Sequence, residues 1–297
     1  MPHSPIEAMS ESDQTQARKH RLEEIAAWKT RNGNIDTDWA DVLDKGIMWD
    51  STSYGGQSRG EFRDENRSIL EVYMEMKKKI LSFEEDMEFF TSSADRLDNL
   101  AKAMNNATGA ARSNDISSLK RAVLGYTAAC MPNQRLDPPI PNNDLKSGRG
   151  FAHIQLARLL CPVKNHDAFD DDPEGYRRKM ASGSAKVSWR DLPNFCWDEY
   201  DPEHIISGMF KSNILVKTFK HIFTSPSSAM KEPGLTHTKS SQAKRNKMKS
   251  VTPPSIAYTC VQYRFAISES LDWRQDDRLF KTDKFFYAVL ETIDIAK

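Results

Sequence analysis

The feature that most constrains this chain is a run of apolar side chains that begins just after Asn66. Ile69, Tyr73, Met76, Ile80, Phe83 and Met87 recur at steps of three and four, through a stretch with neither glycine nor proline. That spacing matches the 3.6-residue period of an α-helix and not the two-residue period of a strand. It predicts a long amphipathic helix, with Glu75 and Lys79 placed to pair along its side. The same repeat returns from about Ser93, in Leu97, Leu100, Ala101 and Met104. It returns again from about Asp115, in Ile116, Leu119, Val123 and Tyr126, where Asn114 or Asp115 would serve as an N-cap.

Further along, proline sets the punctuation. A helix over about 150–161 is stopped by Pro162, and Asp172-Pro173 opens a short helix that ends near Gly183. Asp201-Pro202 is expected to start a strong helix with Met209, Ile214, Leu215, Phe219 and Phe223 on its core face, ending at Ser225-Pro226. Pro253-Pro254 heads a helix carrying Ile256, Cys260, Tyr263 and Ile267, and the last helix starts at Thr282 or Asp283. Met131 to Pro141 holds Pro132, Pro138, Pro139 and Pro141, so it must be extended or turning, and a hinge is expected at 131–149. Val187 to Trp197 reads equally as a strand or an extended strap. The fold class is therefore mainly α: an irregular multi-helix domain over 66–297 with long proline-containing connections.

Ahead of it, residues 1–65 carry 8 Lys/Arg against 13 Asp/Glu, with a Gly/Ser stretch around Tyr54 to Ser58. This segment is expected to be an acidic, largely disordered tail with one short helix near Arg18 to Thr30. Trp28, Trp39 and Trp49 are unusual in such a tail; they either dock on the folded part or form a partner motif that orders on contact.

Formal net charge is zero, so any attraction to nucleic acid or anionic lipid must be local. No stretch approaches the roughly 20 apolar residues of a membrane span, and Met1 to Asp13 has acids and prolines where a signal peptide would be basic and then apolar. No membrane association and an intracellular location, nucleus or cytoplasm, are expected. Cys130, Cys161, Cys196 and Cys260 are too widely spaced for a CxxC or Cys/His motif and read as reduced, buried thiols.

None of the common phosphate-binding, dinucleotide-binding, serine-hydrolase or zinc-protease motifs is present, and Gly148-Arg149-Gly150 is too short for a phosphate cradle. No cofactor, catalytic residue or metal ligand is expected. Asp167, Asp170, Asp171, Asp172 and Glu174 read as a solvated loop and helix cap; an alternative is a metal-dependent hydrolase or nuclease centred near Asp171. His221, between Phe219 and Phe223, reads as a structural histidine and Cys196 as a packing residue. The charged binding candidate is the loop 229–250, with six bases and one acid. Its Lys239, Lys244, Arg245, Lys247 and Lys249 would contact phosphates weakly or be read by an import receptor. No aromatic residue interleaves with these bases, so stacking on single strands is not indicated. The expected role is a non-enzymatic binding or scaffold protein presenting this loop.

The run from Phe219 through Ser228 (Phe-Lys-His-Ile-Phe-Thr-Ser-Pro-Ser-Ser) is distinctive, as is Ser250 to Tyr258 followed by Gln262, Arg264, Phe265 and Ala266. With Ser117 to Lys120, Gly148 to Phe151, Leu159 to Pro162 and Phe280 to Leu290, these pieces resemble an uncharacterised family, a domain of unknown function expanded in mushroom-forming fungi. The resemblance covers about 66–290 and implies one domain and no particular chemistry. Family members usually continue past the last helix with a further acidic, Trp-containing segment, so a shortened or degenerate copy without independent function is a third expectation. The 229–249 loop also looks longer and more basic here than in the family.

Overall fold

The structure, a computed structural model, describes residues 10–52, 54–141, 145–231, 241–271, 273 and 280–295. These residues form a mainly helical protein, and among them there is no β-strand. The chain divides into two compact units, Met1–Arg112 and Ser113–Lys297.

The first unit contains α1 (Glu11–Asn32), α2 (Trp39–Ser51), α3 (Arg59–Glu65), α4 (Arg67–Lys79), α5 (Phe83–Thr91) and the first part of α6 (Ala94–Ala128). Its core joins Leu22 and Ala26 of α1 and Trp39, Val42 and Leu43 of α2 to Tyr73, Met76, Phe83, Phe90, Leu100 and Met104. Residues 10–65, expected as a flexible tail, are therefore folded as three helices here. The excess of acids does not unfold this segment, because several of them serve as caps and partners. Asp38 accepts from the Ala40 amide at 3.0 Å, Ser58 and Glu61 close a capping box, and Asp50 accepts from the Tyr73 hydroxyl at 2.9 Å. Trp28 and Trp39 are buried, and the Trp39 indole donates to the Thr108 hydroxyl at 2.9 Å. Trp49 is partly exposed, with Arg59 over its ring.

The long helix expected from 66 to 87 is two helices, α4 and α5, broken at Ile80–Ser82, where Ile80 turns to an extended backbone. Charge explains the site of the break. Lys77, Lys78 and Lys79 fill the last turn of α4, while Glu84, Glu85 and Asp86 fill the first turn of α5, and both ends suit the helix dipole. The apolar face survives the break, because Tyr73, Met76, Ile80, Phe83 and Met87 stay in one cluster. Conversely, the two helices expected from Ser93 and Asp115 are the single 35-residue α6. Asn114 and Asp115 do not cap it. Asp115 lies mid-helix and accepts from the Tyr258 hydroxyl at 2.8 Å.

The second unit holds the rest of α6, α7 (Ile154–Leu160), α8 (His166–Asp171), α9 (Pro173–Ala181), α10 (Asn213–Phe219), α11 (Gln242–Arg245), α12 (Pro253–Ile267) and α13 (Thr282–Ile295). Helix α12 is the hub: it packs on α10 and α13 and is buried almost throughout. Its start is written in the sequence, with both prolines in the first turn and a Thr252–Ser255 capping box. Residues 187–197 form a strap with one short 3₁₀ turn at Asn194–Cys196. The helix expected from Asp201 begins only at Asn213, capped by Ser212. Gly208 and Phe210 take left-handed backbone, which a helix cannot carry through. The boundary between the two units falls between Arg112 and Ser113, so the proline segment 131–149 lies within the second unit; Leu136, Lys146 and Arg149 on it are buried.

Candidate functional site

Residues 241–249 of the basic segment form an ordered turn. The Ser241 hydroxyl accepts from the Lys244 amide at 3.0 Å and starts α11. After it, the Met248 amide donates to the Ala243 carbonyl at 2.8 Å, and Lys247 takes a left-handed backbone that ends the helix. Ala243 and Met248 are half-buried, and α11 packs against the turn Lys220–Thr224. Lys244, Arg245, Lys247 and Lys249 are all exposed, and among the described residues none of them is ion-paired with an acid. Lys239 lies outside the described residues.

That neighbouring turn continues α10 as one wide π turn over Lys220–Thr224. It carries His221, which is 4% exposed. Its Nε2 lies 2.9 Å from the Ser118 hydroxyl and its Nδ1 2.8 Å from the Tyr126 hydroxyl, which also reaches the Pro226 carbonyl at 3.3 Å. Burial lowers the His221 pKa to about 4 and raises that of Tyr126 to about 12, so both are neutral at pH 7. A serine against a histidine nitrogen is the contact hydrolases use, but Ser118 sits inside α6. The backbone amides beside it are engaged in the helix and leave no donors for a developing oxyanion. The arrangement is a polar lock between α6 and the π turn.

A second lock lies at the far end of α12. Arg149 donates to the Ala266 carbonyl at 2.7 Å and to the Lys120 carbonyl at 2.9 Å; Lys146 donates to the Phe265 carbonyl at 2.5 Å and to that of Ser270. Both cations are buried, and two of the four carbonyls they meet, those of Phe265 and Ala266, belong to the last turn of α12, where a helix leaves carbonyls without intrahelical donors at the negative end of its dipole. Gly148 and Gly150, both at positive φ, let the backbone wrap around Arg149. A Cβ on Gly150 would lie 2.9 Å from Glu269 Cγ. Sequence reading missed these roles; the signal available was an arginine held between two glycines.

The acidic stretch is engaged locally. Asp170 accepts from Arg158 at 2.8 Å, Asp172 caps α9 by accepting from the Gly175 amide at 2.8 Å, and Glu174 pairs with Arg177 at 2.7 Å. Among the described residues, no group of three or more His, Cys, Asp or Glu side chains is placed to hold a metal ion. Cys196 is buried against Cys260, and burial holds its thiol well above the usual range.

The pieces that carried the family resemblance thus touch one another: Ser118 meets His221, and Arg149 ties Lys120 to Ala266. A family model matches residues 106–297. The chain belongs to DUF6698, a family of unknown function. The DUF6698 match starts at 106 and not at 66, so it takes in the second unit and leaves α1 to α5 outside. No curated protein and no solved structure matches the chain.

Proposed function

We propose that this DUF6698 protein is a non-enzymatic binding or scaffold protein that acts inside the cell, in nucleus or cytoplasm, and that its family is one expanded in mushroom-forming fungi. Its contact surface is the basic segment, which meets an anionic partner such as nucleic acid or the acidic surface of an import receptor. The observation that carries this reading is the display of Lys244, Arg245, Lys247 and Lys249. All four are exposed, none is neutralised by an acid among the described residues, and they sit on a turn fixed to the π turn and not on a free strand of chain. In a molecule of zero net charge, a local cluster of this kind is what an anion would meet. The reading as a metal-dependent hydrolase near Asp171 has no comparable support, since the neighbouring acids are engaged as caps and ion pairs. Replacing Lys244, Arg245 and Lys247 together with alanine is expected to weaken retention on heparin, so that the variant elutes at clearly lower salt, without changing the melting temperature. Unchanged retention of that triple variant would remove the proposal.

A further inference from the structure

We propose that the partner of the basic segment is an acidic protein segment, which inserts an apolar anchor into a groove between α10 and the start of α12. This rests on the reading of the basic segment as a contact surface and adds what that surface recognises.

The groove has a volume of about 320 Å³, at the lower end of the range for pockets that bury a ligand, about 300–1,000 Å³. Phe210, Leu215, Val216, Phe219, Val251 and Ile256 give it an apolar lining. Its charged lining residues are Lys211 and Lys220, both cations. Val216 is 40% exposed and Val251 57%, so a β-branched apolar surface stands open to water on both sides of the groove.

The basic segment continues this rim. Lys220 begins the π turn against which α11 packs, and Lys249 lies two residues before Val251. The groove and α11 therefore share the π turn: an apolar slot lined by Lys211 and Lys220, with the α11 cations on the turn packed beside it and, among the described residues, no acid lining the slot. Charge complementarity calls for carboxylates on the occupant, and the slot calls for an aliphatic or aromatic side chain between them. A nucleic acid would satisfy the cations but leave the aliphatic walls uncovered. Of the two aromatic residues that line the slot, Phe219 is already stacked on Phe223 with ring centroids 4.4 Å apart, so one of its faces is taken. An acidic peptide with an apolar anchor uses the whole surface.

The test is selection of binders from a displayed library of 16-residue peptides on the full-length chain, followed by titration of the labelled consensus peptide. The expected consensus places Leu, Ile, Phe or Trp among Asp and Glu. Val216→Gln with Val251→Ser, at two exposed positions, is expected to weaken that peptide at least tenfold while leaving heparin retention unchanged. The Lys244, Arg245 and Lys247 alanine variant is expected to weaken both. Peptides without acids, no recovered binders, or a consensus peptide indifferent to the double variant would each overturn the inference. So would a thymidine 20-mer that binds more tightly than the peptide and depends on Val216 and Val251. Self-association abolished by the double variant would overturn it too, by showing that a second copy covers the slot. Weaker heparin retention in the triple-alanine variant with any of these results would leave the basic-segment reading standing and remove only the groove's occupant.

Discussion

A buried histidine with both ring nitrogens hydrogen-bonded responds to acid differently from one in water. His221 has a pKa of about 4 in the folded protein, against an ordinary 6.5. Between those values the unfolded chain takes up a proton that the folded chain refuses. Stability is therefore fully present above pH 6.5, falls as the pH drops towards 4, and changes no further from this source below that. The full difference is about 3 kcal/mol. His166, lowered to about 4 by burial with Arg158 adding to the effect, acts in the same direction. Denaturant unfolding of the wild type and of His221→Gln at pH 7 and pH 4.5 measures the His221 share. The wild type is expected to lose about 2 kcal/mol more than the variant over that interval. Equal losses would mean that His221 is exposed to solvent.

At the scale of the element, α2 and α4 offer a test whose sign is informative. Gly46 of α2 faces Tyr73 of α4 so closely that a Cβ would lie 2.0 Å from the ring. Gly46→Ala is therefore expected to force the helices apart and to destabilise the first unit by about 1–2 kcal/mol, overpacking outweighing the gain in helix propensity. If residues 39–51 were a loose helix, the same change would stabilise it by roughly 1 kcal/mol, and a thermal melt separates the two. The sequence showed that helices exist, where prolines start α9 and α12, and that the last helix begins at Thr282 or Asp283. It was misleading where charge and periodicity competed. The break between α4 and α5 was visible in Lys77–Lys79 followed by Glu84–Asp86, but the unbroken apolar face concealed it. The tail was misjudged because acids that cap helices count the same, in a charge tally, as acids that solvate a coil. In the candidate site, the basic residues were legible from composition. The polar locks at His221 and Arg149 were not, because Ser118 and Tyr126 lie 103 and 95 residues from His221, and Ala266 lies 117 from Arg149.

Considered as a whole, the molecule is electrically balanced, with 42 basic and 42 acidic residues, so long-range attraction cannot come from its net charge. Function on this account depends on uneven distribution: carboxylates are used inside the first unit and along α8 and α9, while the cations of the 241–249 turn stand without acid partners among the described residues. The family match over 106–297 places that turn, the π turn and the hub helix α12 together within its span. Salt dependence of heparin binding reads this arrangement most directly, because each cation that touches a polyanion adds to the slope of log affinity against log salt. The slope of the wild type is expected to fall by about 2 to 3 when Lys244, Arg245 and Lys247 become alanine. An unchanged slope would show that anions meet the protein elsewhere, and would contradict the account.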